Sequence, residues 1–366
     1  MIIKLNEAGD NMRLSKKLLS VLLAFAVLVI ALPLSGISSY AADTSEFTYQ
    51  VLSEEDKTAE ITSYTGAGGD VVIPETLDGY TVTSLGDTAF GEEENGYMNF
   101  SITSLTIPQT IENISETASI CLIACGEFIV DEDNVNFSSL CGVLFNKNKH
   151  SLIRYPSGKN EISYTVPSSV TEICYGAFYF SKLKSIDVSN GVETVVDYAF
   201  SYSSELEEVK FADTVVYLGE GAFDSCESLK TVILSNSLTT INGYVFYGCR
   251  SLTEIIIPSS VTSIDTSAFM GSHLAAVYGV PGSYAETYAN ENGYEFIDIN
   301  ELTIPGDMNG DAVCDLNDID IMLQISAGVT EPSSVQLKLG DLNDDGVIDG
   351  FDVAKLDILI SSDASE

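Results

Sequence analysis

A phenylalanine recurs as Phe178, Phe200, Phe223, Phe246 and Phe269, at intervals of 22, 23, 23 and 23 residues. No other feature constrains the fold as tightly, because one such period has too little surface to enclose a core and must stack on its neighbours. The flanking columns keep the same phase. A small or β-branched residue precedes each ring (Ala177, Ala199, Ala222, Val245, Ala268), and an aliphatic pair stands eight and five positions before it. These pairs are Val170/Ile173, Val192/Val195, Val215/Leu218, Leu238/Ile241 and Val261/Ile264. After each ring comes L-x-x-[VI]-x-apolar, as in Leu206/Val209/Phe211, Leu229/Val232/Leu234 and Leu252/Ile255/Ile257.

That spacing predicts a short strand whose alternate residues point inward, with strands of successive units about 4.8 Å apart. Pro-Ser-Ser and Ser-Asn-Ser punctuate the units with turn chemistry. Val82, Leu85 and Phe90 fit the same template upstream, followed by Ile102/Leu105/Ile107, whereas residues 110–136 fit it badly. Cys226 and Cys249 share the column just after the ring, so they read as a buried free-thiol column rather than a disulfide; the other five cysteines form no CxxC pattern.

The units IPSSVTSIDTSAFMGSHL (257–274) and YGCRSLTEIIIPSSV (247–261) resemble the BspA-type bacterial leucine-rich repeats. The resemblance covers about 60–298. It implies a β-rich leucine-rich-repeat solenoid with a repeat of 22–23 residues, an insertion over 137–178, and a C-terminal cap near 277–298 built from a helix over 283–292 and a strand. It is poor for function, since this repeat type serves as adhesin, ligand binder or spacer.

Both ends of the chain are different. Arg13, Lys16 and Lys17 precede an apolar run from Leu18 to Leu34, and Ser39-Tyr40-Ala41 supplies small residues for cleavage. Residues 1–41 read as a secretory signal peptide with its conventional start at Met12, against the rival of a retained anchor. The expected location is therefore secreted and extracellular, with no membrane insertion after cleavage. The formal charge of −38, from 16 basic and 54 acidic residues, excludes nucleic acid as the main partner, because phosphate binding needs clustered Lys and Arg.

Following a linker at 299–304, residues 305–362 hold two acidic loops 34 residues apart. Asp307, Asn309, Asp311, Val313, Asp315 and Asp318 occupy positions 1, 3, 5, 7, 9 and 12 of the first. Asp341, Asn343, Asp345, Val347, Asp349 and Asp352 do so in the second. This is EF-hand ligand arithmetic, with the backbone carbonyl serving at position 7, and oxygen-only donors in a 12-residue wrap suit calcium better than magnesium. Gly346 stands at position 6 of the second loop and Ala312 in the first. Ile319/Met322/Ile325 and Val353/Leu356/Leu359 predict a helix after each loop, and no convincing helix leads into either. With 15 acidic residues and two lysines in 301–366, folding and metal binding should be coupled.

A duplicated loop–helix unit resembles the dockerin module of cellulosomal proteins. The resemblance implies a small all-α dockerin with two calcium loop–helix units, whose partner is a cohesin domain of a scaffoldin. By the same resemblance the cohesin contacts are Leu316, Asn317, Leu323 and Gln324 in the first repeat, and Gly350, Phe351, Asp357 and Ile358 in the second. Phe351 reads equally as an interface anchor or as a core plug between the helices.

No catalytic residue stands out. His150 and His273 read as surface residues, Cys141 in SLCGVLF as core, and Glu207/Glu208 as pointing to opposite faces. The chain has no tryptophan, and Tyr179, Tyr202 and Tyr247 fall on turns without making a regular platform. Ile233 and Ile256 share an outward column, a contact patch or simply β-propensity filling. The expected function is a secreted recognition or adhesion protein, its repeats binding a protein or glycan and its dockerin attaching it to a scaffold. The alternatives are a polysaccharide-degrading hydrolase with its centre hidden in 43–165, and an inert spacer.

Overall fold

The computed structural model describes residues 44–91, 98–299, 305–308, 314, 316–330, 332, 334–342 and 346–363. The expected signal segment 1–41 with Met12, most of the 299–304 linker, and the loop positions Asn309, Asp311, Ala312, Val313, Asp315, Asn343 and Asp345 lie outside the described residues. No described helix is long and apolar enough to cross a membrane.

From Glu172 onward each repeat contributes two short strands, and the columns read from the sequence become hydrogen-bonded neighbours. Glu172–Ile173, Thr194–Val195 and Tyr217–Leu218 run parallel with Ile173, Val195 and Leu218 in register. Thr240–Ile241 pairs with Ser263–Ile264 in the same manner. On the other side, Ser185–Val188, Glu208–Phe211 and Thr231–Ile233 place Ile186, Val209 and Val232 side by side.

The recurring rings lie within the core of these repeats. Phe178, Phe200, Phe223, Phe246 and Phe269 stack with centroids 5.0, 4.9, 5.5 and 5.1 Å apart, at interplanar angles of 18°, 3°, 2° and 15°. All five are buried. The ring spacing follows the strand spacing, so stacking and sheet pairing reinforce each other. The column three past each ring adds a side-chain ladder. Ser203 Oγ donates to the Phe178 carbonyl at 2.8 Å, Cys226 Sγ to that of Phe200 at 3.1 Å, and Cys249 Sγ to that of Phe223 at 3.2 Å. Cys226 and Cys249 are free and buried, as their column implied.

Two apolar clusters fill the solenoid, one from Phe47 to Leu144 and one from Val143 to Ala289. Antiparallel strands Phe47–Ser53 and Thr58–Tyr64 cover the first edge, the latter pairing parallel with Tyr80–Leu85. At the far end the helix Tyr284–Asn292 stops at Gly293, in the left-handed conformation at φ 76°, and Glu295–Asp298 adds a last parallel strand against Ala276–Gly279. These end pieces close the apolar clusters, with Phe47 and Ile61 in the first and Ala285, Tyr288 and Ala289 in the second. Residues 110–136 depart from the template because Ser119, on the one-turn helix Glu116–Ile120, stands where the ring belongs eight residues after Ile111.

Cys141 is exposed rather than core. The run SLCGVLF folds as a hairpin, Phe137–Leu140 against Val143–Asn146, and Cys141-Gly142 form its two-residue turn at φ 51° and 80°. Positive φ at both turn residues matches the right-handed twist of the strands.

The tail is helical at Leu316–Ser326, Ser334–Gly340 and Gly350–Asp363. Met308, Met322, Ile325, Leu339, Ile348 and Leu356 form its own buried cluster. The middle helix corrects the expectation that none leads into a loop. Val335, Leu337 and Leu339 alternate with a strand-like period, yet the segment coils and delivers Gly340 directly to Asp341.

Candidate functional site

Three surfaces of the protein concentrate chemistry: the tail loops, the tail helix faces, and a strip of the solenoid between Tyr175 and Ser267.

In both tail loops the position-12 aspartate closes the ring in the same way. Asp318 Oδ1 accepts the Met308 N–H at 2.8 Å, and Asp352 Oδ1 accepts the Leu342 N–H at 2.8 Å. Asp352 Oδ2 also takes the Asp349 N–H at 2.9 Å. Asp318 and Asp352 are both 0% exposed, and Asp307 is buried as well. In the second loop the Gly346 N–H donates to Asp341 Oδ2 at 2.7 Å, with Gly346 at φ 91° and open space where a Cβ would stand. A carboxylate held out of water is costly unless charge compensates it. The described donor set, carboxylates turned into a tight loop, suits a hard divalent cation. Among the described residues no group of three metal-ligating side chains gathers, and six of the twelve expected ligands lie outside them.

On the helix faces, Leu316, Asn317, Leu323, Gln324, Gly350 and Phe351 are all exposed. Phe351 is 77% exposed, which decides between the two readings of it: the ring is not a core plug. Asp357 and Ile358 lie on the helix Gly350–Asp363, and their side chains are outside the described ones.

On the solenoid, a cavity of about 200 Å³ opens between Tyr175, Tyr179, Tyr198 and Tyr202, with Ile120, Ser201 and Asp224 completing its lining. Tyr175 and Tyr198 meet edge to face at 5.8 Å and 68°, and Tyr179 and Tyr202 at 5.5 Å and 70°. Tyr179, Ser201 and Asp224 each directly follow the ring of their repeat, so three successive units supply one row. Tyr198 and Tyr202 hold φ of 56° and 58°. The column of Tyr198 carries Gly176 and Gly221 in the adjacent repeats and Tyr244 beyond them, whereas that of Tyr202 carries Phe180 and Ser225 in the adjacent repeats and Gly248 and Gly271 further on, all at positive φ. A side chain in that left-handed region costs roughly 1–2 kcal/mol. Tyr179 and Tyr202 read in the sequence as turn residues without a regular platform, and Tyr175 and Tyr198 do not stand out there because the four belong to different columns; Tyr198 standing between Gly176 and Gly221 in one column was the available signal.

Beside this cavity runs a larger groove of about 570 Å³, lined by Asp197, Glu220, Tyr217, Tyr244 and Asp265 among others. The Glu220 N–H donates to Asp197 Oδ1 at 2.8 Å. Ser267 donates its hydroxyl and N–H to Asp265 Oδ1, at 2.6 and 2.8 Å, and these bonds hold the Asp265 carboxyl below its ordinary range.

Behind the tyrosine cavity lies Arg154, fully buried between the two apolar clusters. Its Nη atoms donate to the carbonyls of Gly176 (2.7 Å), Tyr179 (2.9 Å) and Ile120 (3.3 Å), and to Ser157 Oγ at 2.6 Å. Burial pulls the guanidinium down to about 10, still charged at neutral pH. His150 and His273 are exposed, as the sequence suggests. Glu207 bridges Lys184 at 3.1 Å and Lys230 at 2.8 Å, a surface ion pair rather than half of an acid–base couple. Ile256 is half-buried, and the side chain of Ile233 is outside the described ones.

Residues 153–275 match the model of the BspA type leucine rich repeat region in six copies. Residues 153–275 are BspA-type leucine-rich repeats. Solved structures similar to this BspA-type array include a leucine-rich repeat protein from Eubacterium ventriosum, 24% identical with a TM-score of 0.42, covering 57% of this chain and 65% of that one. The pneumococcal vaccine antigen PcpA is 19% identical with a TM-score of 0.45, covering 63% and 67%. A leucine rich cell surface protein from Faecalibacterium prausnitzii is 26% identical with a TM-score of 0.40, covering 63% and 59%. The chain thus spans under two thirds of the first and third of these proteins. No curated protein matches it.

Proposed function

We propose that the protein is a secreted, non-catalytic recognition protein whose BspA-type repeats bind a protein or glycan and whose tail is a calcium-dependent dockerin. In this reading residues 1–41 are removed on export and 305–362 dock onto a cohesin of a cellulosome-type scaffold. The observation that carries the tail assignment is the repeated closure of both loops, Met308 onto Asp318 and Leu342 onto Asp352 at one distance. Two loops with the same internal bond are two copies of one ligand frame, and their buried carboxylates fit a divalent cation.

Bound calcium would supply the positive charge that neutral N–H donors cannot. Asp307, Asn309, Asp311, the Val313 carbonyl, Asp315 and Asp318 would hold the first ion. Asp341, Asn343, Asp345, the Val347 carbonyl, Asp349 and Asp352 would hold the second. Around them the chain's own residues pack the helices, with Met322 and Leu356 in the shared core and Phe351, Leu316 and Leu323 left outward as apolar contacts. An exposed aromatic ring is a suitable anchor for a protein partner.

The test is a pull-down of the full chain by immobilised cohesins, with calcium and with a chelator. Capture in calcium alone is expected. With chelator, limited proteolysis should cut within 303–362 and leave the repeats intact. Capture that ignores calcium, or a tail equally resistant with and without it, overturns the assignment.

A further inference from the structure

We propose that the cavity walled by Tyr175, Tyr179, Tyr198 and Tyr202 and closed by Asp224 binds a primary alkylammonium group of the lysine side-chain type. The two edge-to-face pairs incline their rings at 68° and 70°, so the four tyrosines wall the cavity instead of forming the flat platform on which a sugar ring stacks, and Phe180 backs Tyr202 by stacking on it at 5.2 Å. A wall of aromatic rings attracts a cation through the negative quadrupole of each ring. Asp224 supplies the full negative charge, and Tyr198 lies within electrostatic reach of Glu220, Asp224 and Asp197. The acidic groove of Asp197, Glu220 and Asp265 continues from it along the repeats, so a cationic chain segment meets negative charge on its approach.

An independent observation points to the same ligand. Ser201 lines the cavity, is 1% exposed, and its Oγ has no hydrogen-bond partner. A buried hydroxyl in a native protein is ordinarily satisfied, and an ammonium carries three N–H donors that can satisfy it. Arg154 stands behind this wall, with its Nη donors already engaged by three carbonyls and Ser157. The backbone adds its own argument. Tyr198 keeps a bulky ring at a left-handed position that both adjacent repeats assign to glycine, and strain of this kind collects at ligand clamps.

The experiment titrates the full chain by calorimetry with Nα-acetyl-lysine methylamide, and with its Nε-acetylated form as the uncharged control. Chelator is present throughout, so that the outcome is independent of the tail. Saturable binding of the amine and none of the acetylated form is expected. Asp224→Asn and Tyr198→Gly should each weaken it about ten-fold. Tyr198→Gly restores the residue that neighbouring repeats use, so the variant folds, and thermal melting verifies this. A second arm uses tetramethylammonium, which lacks N–H donors; weaker binding than the amine is expected, and tighter binding would transfer the site to quaternary amines and overturn the role of Ser201. Equal binding of the acetylated control, or unchanged binding in a folded Tyr198→Gly protein, overturns the proposal.

Discussion

Asp352 accepts the backbone N–H of Leu342, ten residues earlier, at 2.8 Å, and Asp318 stands in the same relation to Met308. The bond ties the end of each loop to its beginning, so the position-12 side chain is committed to geometry as well as to charge. Asp352→Asn removes the charge while its one amide oxygen still accepts the Leu342 N–H, at the loss of the bond that Oδ2 takes from the Asp349 N–H. Calcium affinity by calorimetry should fall at least about ten-fold in this variant, the loss of one carboxylate ligand. An unchanged affinity would show that the buried aspartate serves closure alone.

Phe223 stacks between Phe200 and Phe246 at 4.9 and 5.5 Å and is fully buried. Phe223→Ala leaves a cavity in the middle of the column and should cost about 3–5 kcal/mol, read as a lowered denaturant midpoint. Because each repeat touches only its neighbours, the same change at Phe269, next to the cap, should destabilise mainly the C-terminal end. Hydrogen exchange resolves the two patterns.

Arg154 joins the Glu116–Ile120 helix to the turn carrying Gly176 and Tyr179 through carbonyl acceptors. Arg154→Met removes the charge and the Nη donors, leaving the Gly176 carbonyl with the Tyr179 N–H alone and the Tyr179 carbonyl with the Ser157 hydroxyl alone, with an expected loss of about 3 kcal/mol. Arg154→Lys should recover little of it, since an ammonium does not reproduce the planar fork. Both are checked by chemical denaturation.

Burial pushes the Cys226 and Cys249 thiols well above their ordinary range, while Cys141 is exposed on its hairpin turn. Thiolate is the reactive form, so at mildly alkaline pH iodoacetamide should label Cys141 in the native protein and spare Cys226 and Cys249 until unfolding. Mass spectrometry of tryptic fragments reads the order. Early labelling of Cys226 would mean that the central repeats open locally.

The repeat columns were legible from sequence because period and chemistry coincide: Ile173, Val195 and Leu218 occupy one column in the chain and one ladder in space. Elsewhere local pattern misled where a turn or a helix overrode it. Cys141 sits among apolar residues yet turns outward at positive φ, and Val335, Leu337 and Leu339 alternate like a strand yet lie on a helix. The tyrosine cavity was harder still. Its walls are drawn from neighbouring repeats at four different offsets from the ring, so no window of sequence contains it. Only the third dimension brings Tyr175 to Tyr198 and Tyr179 to Tyr202.

The hydroxyl and thiol ladder from Ser203 to Cys249 reaches back only one unit at each rung. The array therefore has no long-distance bookkeeping: excising residues 212–234, or copying them in tandem, rejoins like with like at the single new seam. Recombination can lengthen or shorten such a molecule in whole steps of its period, each new seam placing ring on ring and ladder residue on ladder residue.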